Sequence, residues 1–520
     1  MALSRALTAL LDGRAYPHAA AAVQLIETHI SWVLLAGEFA YKIKRPVRYD
    51  FVDLRDLERR KFFCEEELRL NRRFAPELYL QVCAIVATDG NARIDGPGEP
   101  IEYGVRMHRF DRAHELDQLL ATRQIQPSEL EDFGRTLALI HARLPAASAA
   151  APWGEAEAIA AAVLRNLDES VAAAAVFGNG AEILALRDPL REGLAALAPT
   201  MAARRADGRV RECHGDLHAG NLVRIGGRML AFDCIEFEPA FRWIDVADEI
   251  AFLLSDLTAR EQPLHAHAFR GGYLAQSGDY HACRVLAVYC AHRALVRAKV
   301  ASLTAREAAP ALQAELRAEH RRLIACACAA LAARRPRLLL MCGLSGAGKT
   351  WVARGLAPPL NAVHLRSDVE RKRRAGLGER DHSGSQLASG LYSPQATASL
   401  YGHLARCAED ALRGGCNVIV DASFLRRSER SAFRELARRL GASLQLVHCH
   451  APQRALQARV MARQRAQQDA SEADLAVLDW QIAQFEPITA EEGVEVISSD
   501  TTDPSVYQRV LRAIGSTRSS

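Results

Sequence analysis

The stretch RLLLMCGLSGAGKTWVARGLA, Arg337 to Ala357, decides how this 520-residue chain is read. The apolar run Leu338 to Cys342 predicts a buried strand, and WVARGLA predicts the first turns of a helix. Between them lies GLSGAGKT. In a strand, glycine loop and helix of this spacing, the small residues Gly343, Ser345, Gly346, Ala347 and Gly348 let backbone N–H groups face phosphates. Lys349 then reaches the terminal phosphates and the Thr350 hydroxyl holds magnesium. A chance glycine turn would bring neither the strand nor the helix, so nucleotide chemistry is the working premise.

The chain is longer than one hydrophobic core usually serves, which predicts two or three domains. The phosphate loop sits late, leaving room before it for a complete domain or a pair of lobes. A net charge of +4 with a pI near 8.4 is too mild to argue for nucleic acid or membrane. The first thirty residues lack the apolar core of a signal peptide, and no later run approaches a membrane span, so a cytoplasmic protein is expected. Twelve cysteines without a CxxC pair predict reduced, mostly buried thiols. Of 66 basic residues only six are lysine, at 42, 44, 61, 299, 349 and 372. In so arginine-rich a chain a retained lysine points to a place that needs a compact ammonium.

Residues 30–46, ISWVLLAGEFAYKIKRP, predict a hairpin turning at Gly37, with Ala40, Lys42 and Lys44 on one strand face. DLRDLERRKFFCEEELRLNRRFAP predicts a helix that stops by Pro76 and carries Glu65, Glu66 and Glu67, and strands follow around LQVCAIVAT and IEYGVRMHRF. From about Leu116 the pattern turns helical and alanine-rich. Short strands and turns cluster at 210–233, and helices occupy roughly 241–333. The segment Leu331 to Leu338 predicts a boundary, after which strands and helices alternate through AVHLRSD, NVIVDASF and SLQLVHCH, as in a parallel doubly wound sheet.

A second constellation lies in VRECHGDLHAGNLVRIGGRMLAFDCIEF, Val210 to Phe237. Phosphoryl transfer needs a carboxylate to orient and deprotonate the attacking hydroxyl, and an amide and a carboxylate oxygen to hold magnesium. Asp216, Asn221 and Asp233 supply these types around two short apolar strands. The stretch resembles the aminoglycoside phosphotransferase and choline kinase group of protein-kinase-like enzymes, and the resemblance covers most of residues 30–300. It implies a two-lobed kinase-like fold with an N-lobe over about 25–110 and a helical C-lobe over about 111–335. Asp216 would be the base, Asn221 and Asp233 the magnesium ligands, and Lys42 of FAYK the lysine that meets the nucleotide phosphates. MHRF, Met107 to Phe110, would be the hinge, and FGRTLALIH resembles a helix of that group. His214 would brace the loop. The sequence departs from the group in lacking a glycine-rich loop before the lysine strand. Lys44 shares the face of Lys42 and remains an alternative to it. Glu67 is the expected lysine partner, with Glu65 and Glu66 as alternatives.

In residues 336–520, Asp368 in LRSDVERKR and Asp421 in VIVDASF fall at predicted strand ends, where ligands of such sheets bind. Asp421 would hold magnesium, Asp368 would orient the acceptor hydroxyl, and Arg371, one turn on, would steady its charge. QRALQARVMARQRAQQDASEADL predicts a helix with Arg454, Arg459 and Arg463, the last two on one face. Arg459 and Arg463 could close over the transferring phosphate. The set resembles the zeta-toxin-like and polynucleotide-kinase-like branch of small P-loop kinases. Together the halves resemble bifunctional proteins with an aminoglycoside phosphotransferase domain, here 1–335, and a P-loop kinase domain, here 336–520. The fold class is thus α/β and α+β. ATP and Mg²⁺ are the expected cofactors and a small-molecule hydroxyl the expected acceptor. A nucleic-acid partner is less favoured, because basic stripes rich in aromatics are missing.

Overall fold

A computed structural model describes residues 7–49, 52–88, 91–379, 381–382, 390–466 and 470–516. Its contacts divide the chain into two compact units, Met1–Val163 with Met201–Leu257 and Leu164–Thr200 with Thr258–Ser520.

The first unit opens on an antiparallel sheet. Its strands are β1 (Val23–Glu27), β2 (Ser31–Ala36), β3 (Phe39–Lys44), β4 (Tyr79–Thr88), β5 (Asn91–Ile94) and β6 (Pro100–His108), in the order β1-β2-β3-β6-β4-β5. Successive residues of β3 serve opposite faces. Tyr41 and Ile43 join Trp32, Leu34 and Ile85 in one apolar cluster, while Ala40 joins Cys64, Val105 and Met107 in another. Lys42 and Lys44 therefore share the face covered by the helix Leu57–Asn71. That helix starts where Asp56 accepts the Arg59 N–H at 3.0 Å. The hairpin, the helix and the strands over 79–88 and 100–108 lie where the sequence pattern puts them. Strands β1 and β5 escape that pattern, the first being a half-exposed edge and the second only four residues long.

Farther on, the helix Pro127–Arg143 and the hairpin Leu222–Ile225 with Arg228–Ala231 lead to the helix Val246–Ala259. Asp245 ion-pairs with the buried Arg204 at 2.7 Å and accepts the Ala247 N–H, fixing the start of that last helix.

The second unit holds the parallel sheet. Its strands are β7 (Arg337–Cys342), β8 (Ala362–Arg366), β9 (Asn417–Asp421), β10 (Ser443–His450) and β11 (Glu495–Asp500), in the order β8-β9-β7-β10-β11, every pair parallel. Each of β7 to β10 matches an expected strand, whereas β11, EVISSD, is polar, mostly exposed or half-buried and without an apolar run to mark it. The helix predicted from QRALQARVMARQRA spans Gln453–Ala466, and residues 467–469 lie outside the described residues. Among the described residues no helix is long and apolar enough to cross a membrane.

The division by contacts does not coincide with the expected boundary at 335/336. Helices before that point are bonded to the parallel-sheet elements of the same unit. Arg373 Nη1 donates to the Gln276 carbonyl at 2.6 Å, Arg284 pairs with Asp410 at 2.7 Å, and the Tyr280 hydroxyl donates to Glu370 at 3.1 Å. Gly414 sits so close to the Cys283 backbone that an added Cβ would lie 2.1 Å from its carbonyl oxygen. Gly414→Ala should accordingly cost about 1–3 kcal/mol through backbone displacement. Thermal unfolding of the intact chain would register it as a lower midpoint, and an unchanged midpoint would show that this contact yields freely.

Candidate active sites

In the first unit the lysine strand, the helix Leu57–Asn71 and the loop after Ala231 converge on one row of charges. Lys42 Nζ lies 2.8 Å from Glu67 Oε1 and also bonds Asp233 Oδ1. Lys44 Nζ bonds the other Glu67 oxygen and Glu236 Oε1. Glu67 thus pairs with both lysines, one through each oxygen. Glu66 instead faces Arg69, at 2.8 Å. Lys44, Glu67 and Glu236 are buried, whereas the Asp233 side chain is 46% exposed. Of the two lysines, Lys42 is the one brought to the candidate metal carboxylate.

Burial acts against the charge on Lys42, but Asp233 and Glu67 outweigh it and hold its pKa well above the ordinary lysine value. Partial desolvation pushes the Asp233 carboxyl up, and the adjacent Lys42 ammonium outweighs it, leaving its pKa below the ordinary value. Both groups are held in their charged forms. The Asp233 backbone is left-handed, with φ of 65°, and its N–H donates to the Tyr79 hydroxyl at 3.0 Å. One residue on, the Cys234 N–H donates to Asn71 Oδ1 at 2.9 Å, tying the loop to the same helix that supplies Glu67.

The HGD loop is suspended from below by two acidic residues of the helix Val246–Ala259. Glu249 accepts the N–H groups of His214 at 2.7 Å and Gly215 at 3.0 Å, and Asp256 accepts that of Ala219 at 2.8 Å. Gly215 has φ of 89°, and a Cβ there would meet the Phe241 carbonyl oxygen at 2.8 Å, so only glycine fits. His214 is fully buried. Its Nδ1 accepts the Asp216 N–H at 3.3 Å, and its Nε2–H therefore donates to the Phe232 carbonyl at 2.8 Å. Burial lowers its pKa to about 4, so it braces the loop as a neutral ring. Asn221 Nδ2 donates to the Asp216 carbonyl at 3.0 Å and to its Oδ2 at 2.9 Å. That leaves Asn221 Oδ1 as the oxygen a cation would meet. Two ammoniums face three carboxylates in this row, and a magnesium ion held by Asn221 and Asp233 suits that donor set and that charge.

In the second unit the phosphate loop borders a cavity of about 420 Å³. Lys349 Nζ donates to the carbonyls of Gly343 and Leu344, each at 2.9 Å, so its ammonium lies along the loop. Gly346 has φ of 79° and passes so close to the helix Gln453–Ala466 that a Cβ would lie 2.7 Å from the Leu456 carbonyl oxygen. Thr350, Asp368, Arg371, Asp421, Arg459 and Arg463 all line the same cavity as the loop. Burial works to raise the Asp421 carboxyl, but His364, whose Nε2 is 3.2 Å away, outweighs it and holds the pKa below the ordinary value. An ionised Asp421 beside the Thr350 hydroxyl is a donor pair suited to magnesium.

Asp368 stands in the first turn of the helix Ser367–Arg374. Arg371 lies over the Tyr392 ring at 4.6 Å and donates to the Leu391 carbonyl at 2.6 Å. Arg459 donates to the Gly346 carbonyl at 3.2 Å and to Thr501 Oγ1 at 2.8 Å, clasping the loop. Arg463 donates to the Ala473 carbonyl at 3.1 Å. Arg454 is exposed and does not line the cavity. Arg366, Tyr392, Tyr401, Glu429, Trp480 and Gln481 also line it and carry no motif spacing by which sequence could mark them.

Comparison with known proteins accords with both halves. A model of the phosphotransferase enzyme family matches residues 54–286, beginning after the lysine strand, and a model of the AAA domain matches 338–488. Over 463 residues the chain is 30% identical to a Mycobacterium tuberculosis protein and to one from Mycobacterium bovis, both named only as uncharacterized, across 88% of this chain and 91% of theirs. The chain belongs to their family: a kinase-like phosphotransferase domain followed by a P-loop kinase domain. It is an ATP-dependent kinase. Among solved structures, choline kinase from Cryptosporidium parvum overlaps 58% of this chain and 88% of its own, at 12% identity and a TM-score of 0.37. The APS kinase of Mycobacterium tuberculosis overlaps 36% and 100%, at 20% identity and 0.26.

Two outcomes follow from the first unit's buried groups. Lys44→Met would leave the buried Glu236 without its ammonium and Glu67 with Lys42 alone, and should cost about 3–5 kcal/mol, read by denaturant unfolding. Retention of most of that stability would mean the two acids protonate at little cost. The second outcome concerns acid. His214, with its pKa lowered to about 4, and His141, lowered to about 3 chiefly by burial, take up protons near 6.5 once unfolded. The unfolded chain therefore binds more protons as pH falls from 6.5 towards 4, and stability should decline across that window. A flat unfolding midpoint between those values would contradict the burial of both rings.

Proposed function

We propose that the chain carries two separate ATP-using phosphotransferase sites, each moving the γ-phosphoryl group of ATP to a hydroxyl of a small molecule and each with its own magnesium site. The supporting observation is that the two units each gather a full set of groups. Lys42, Asp216, Asn221 and Asp233 meet in the first. Lys349, Thr350, Asp368 and Asp421 meet in the second. Neither set borrows a residue from the other.

In the first site the Asn221 amide holds one oxygen of Asp216, orienting the carboxylate to accept the proton of the acceptor hydroxyl as its oxygen attacks phosphorus and ADP departs. Lys42, kept cationic by Glu67, would hold the nucleotide phosphates. Glu67 would keep that lysine in place. In the second site Lys349 would reach the terminal phosphates while Asp368 orients the hydroxyl. Arg371, steadied by Tyr392 and the Leu391 carbonyl, would offset charge on the transferring group. Magnesium, when bound by Asn221 and Asp233 or by Thr350 and Asp421, would supply charge neutralisation across the β and γ phosphates. A cytoplasmic location suits a consumer of ATP whose twelve cysteines form no disulfide among the described residues.

Asp216→Asn should lower phosphotransfer at the first site by about 10²–10⁴-fold while leaving nucleotide binding nearly unchanged. Wild-type turnover of an acceptor found by screening extracts with labelled ATP would refute the assignment. Nucleotide titration of the intact chain should reveal two sites, one of which disappears in Lys349→Ala. A single site in the wild type, or loss of both in that variant, would favour a chain in which one module acts and the other senses nucleotide.

A further inference from the structure

The helix Leu475–Gln484 borders the phosphate-loop cavity through Val477, Trp480 and Gln481. Its position is set on two sides. Asp474 accepts the Val477 N–H at 2.8 Å at its start, and Leu478, fully buried, joins the cluster that holds Ala347, Leu456 and Val460. Gln481 lies one turn beyond Leu478, on the same side of the helix. Its Oε1 accepts the Ser345 N–H at 2.7 Å, a direct bond to the backbone of the phosphate loop.

This partner is chemically two-faced. A carboxamide presents one acceptor oxygen and, on its nitrogen, two donors. The Ser345 N–H fixes which end faces the loop, and among the described residues Gln481 Nε2 has no hydrogen-bond partner. Ser345 adjoins Leu344, whose carbonyl receives Lys349, so Gln481 stands at the end of the loop to which that lysine reaches. On the reading that this lysine serves the terminal phosphates, Gln481 adjoins the group that ATP has and ADP lacks. A phosphate oxygen taking the Ser345 N–H would displace Oε1, and a half-turn about the last side-chain bond would then aim Nε2–H at the same phosphate. Asparagine is too short for both postures, and a glutamate could adopt only the first.

We propose that Gln481 is a specificity-determining residue of the P-loop site, donating a hydrogen bond to the terminal phosphoryl group and so setting the preference for ATP over ADP. The proposal rests on the assignment of this cavity to ATP. Calorimetric titration of the intact chain with AMP-PNP and with ADP tests it, the P-loop component being the part that Lys349→Ala removes. In Gln481→Ala the ratio of analogue to ADP affinity should fall about tenfold, as expected for one hydrogen bond to a charged group. Gln481→Glu keeps an acceptor for the Ser345 N–H but brings a negative charge, and should lower that ratio further. A ratio that stays constant overturns the proposal, whether both affinities are unchanged or both rise together as they would if Gln481 only covered the loop. Wild-type protein with no Lys349-dependent binding would instead remove the nucleotide assignment itself, an outcome visible before any Gln481 variant is made.

Discussion

The first unit depends on how Glu67 divides itself between two ammoniums. Its helix and the β3 strand are close in sequence, the loop carrying Asp233 and Glu236 lies far along the chain, and each brings a charge with little or no access to water. A buried charge is tolerated only where an opposite charge meets it in good geometry. None of the three segments can shift without leaving a lysine or a carboxylate unpaired. The arrangement fixes Asp233 in a left-handed turn that its side chain alone would not select. The same helix secures the turn a second time through Asn71. Positioning and stability are thus the same interaction here, and Asp233 is the member of the row that keeps the most access to solvent.

The second unit reaches an equivalent result through strand order. With β9 between β8 and β7, the register sets Asp421 beside both Arg366 and Met341, so a carboxylate closes one strand just where the phosphate loop leaves the next. Asp368 follows β8 by two residues. Parallel pairing therefore delivers two acids and a glycine loop to one edge of the sheet without any long-range ion pair between them. The fixed scaffold contrasts with Arg459 and Arg463, which reach the cavity from the helix Gln453–Ala466 and take carbonyl oxygens as partners.

What sequence made legible was local. GLSGAGKT, HGDLHAGN and the alternating strands carry their meaning in spacing, because a turn, a strand and a helix N-terminus lie within a few residues of one another. The polar strand β11 shows no alternation strong enough to read. The partner of Lys42 was a choice among three adjacent glutamates, settled geometrically by which of them faces the sheet. Glu236 and Gln481 had no local signal, since each acquires its place from a partner more than a hundred residues away. Composition shifts near 335, but the bonds that Arg373 and Tyr280 make between residues on either side of it depend on tertiary packing that composition does not encode.

The scarcity of lysine turns out to have a physical reading. Four of the six stand at the two sites or on their supports: Lys42 and Lys44 on β3, Lys349 in the loop, and Lys372, 3% exposed and 3.3 Å from Glu472, on the helix of Asp368 and Arg371. Lys44 shows why arginine does not replace it. It is fully buried between two carboxylates that approach from different elements. A guanidinium is planar and offers its donors in one fixed fork, whereas an ammonium presents three donors in tetrahedral directions from a single atom. The converse holds for Arg459, whose Nη1 donates to the Gly346 carbonyl and Thr501 Oγ1 while its Nη2 donates to the Thr501 carbonyl, a spread over two nitrogens that a single ammonium lacks. Where two acids converge on one buried atom the chain keeps lysine, as at Lys44, and where one side chain must meet three oxygens around the loop it uses arginine, as at Arg459.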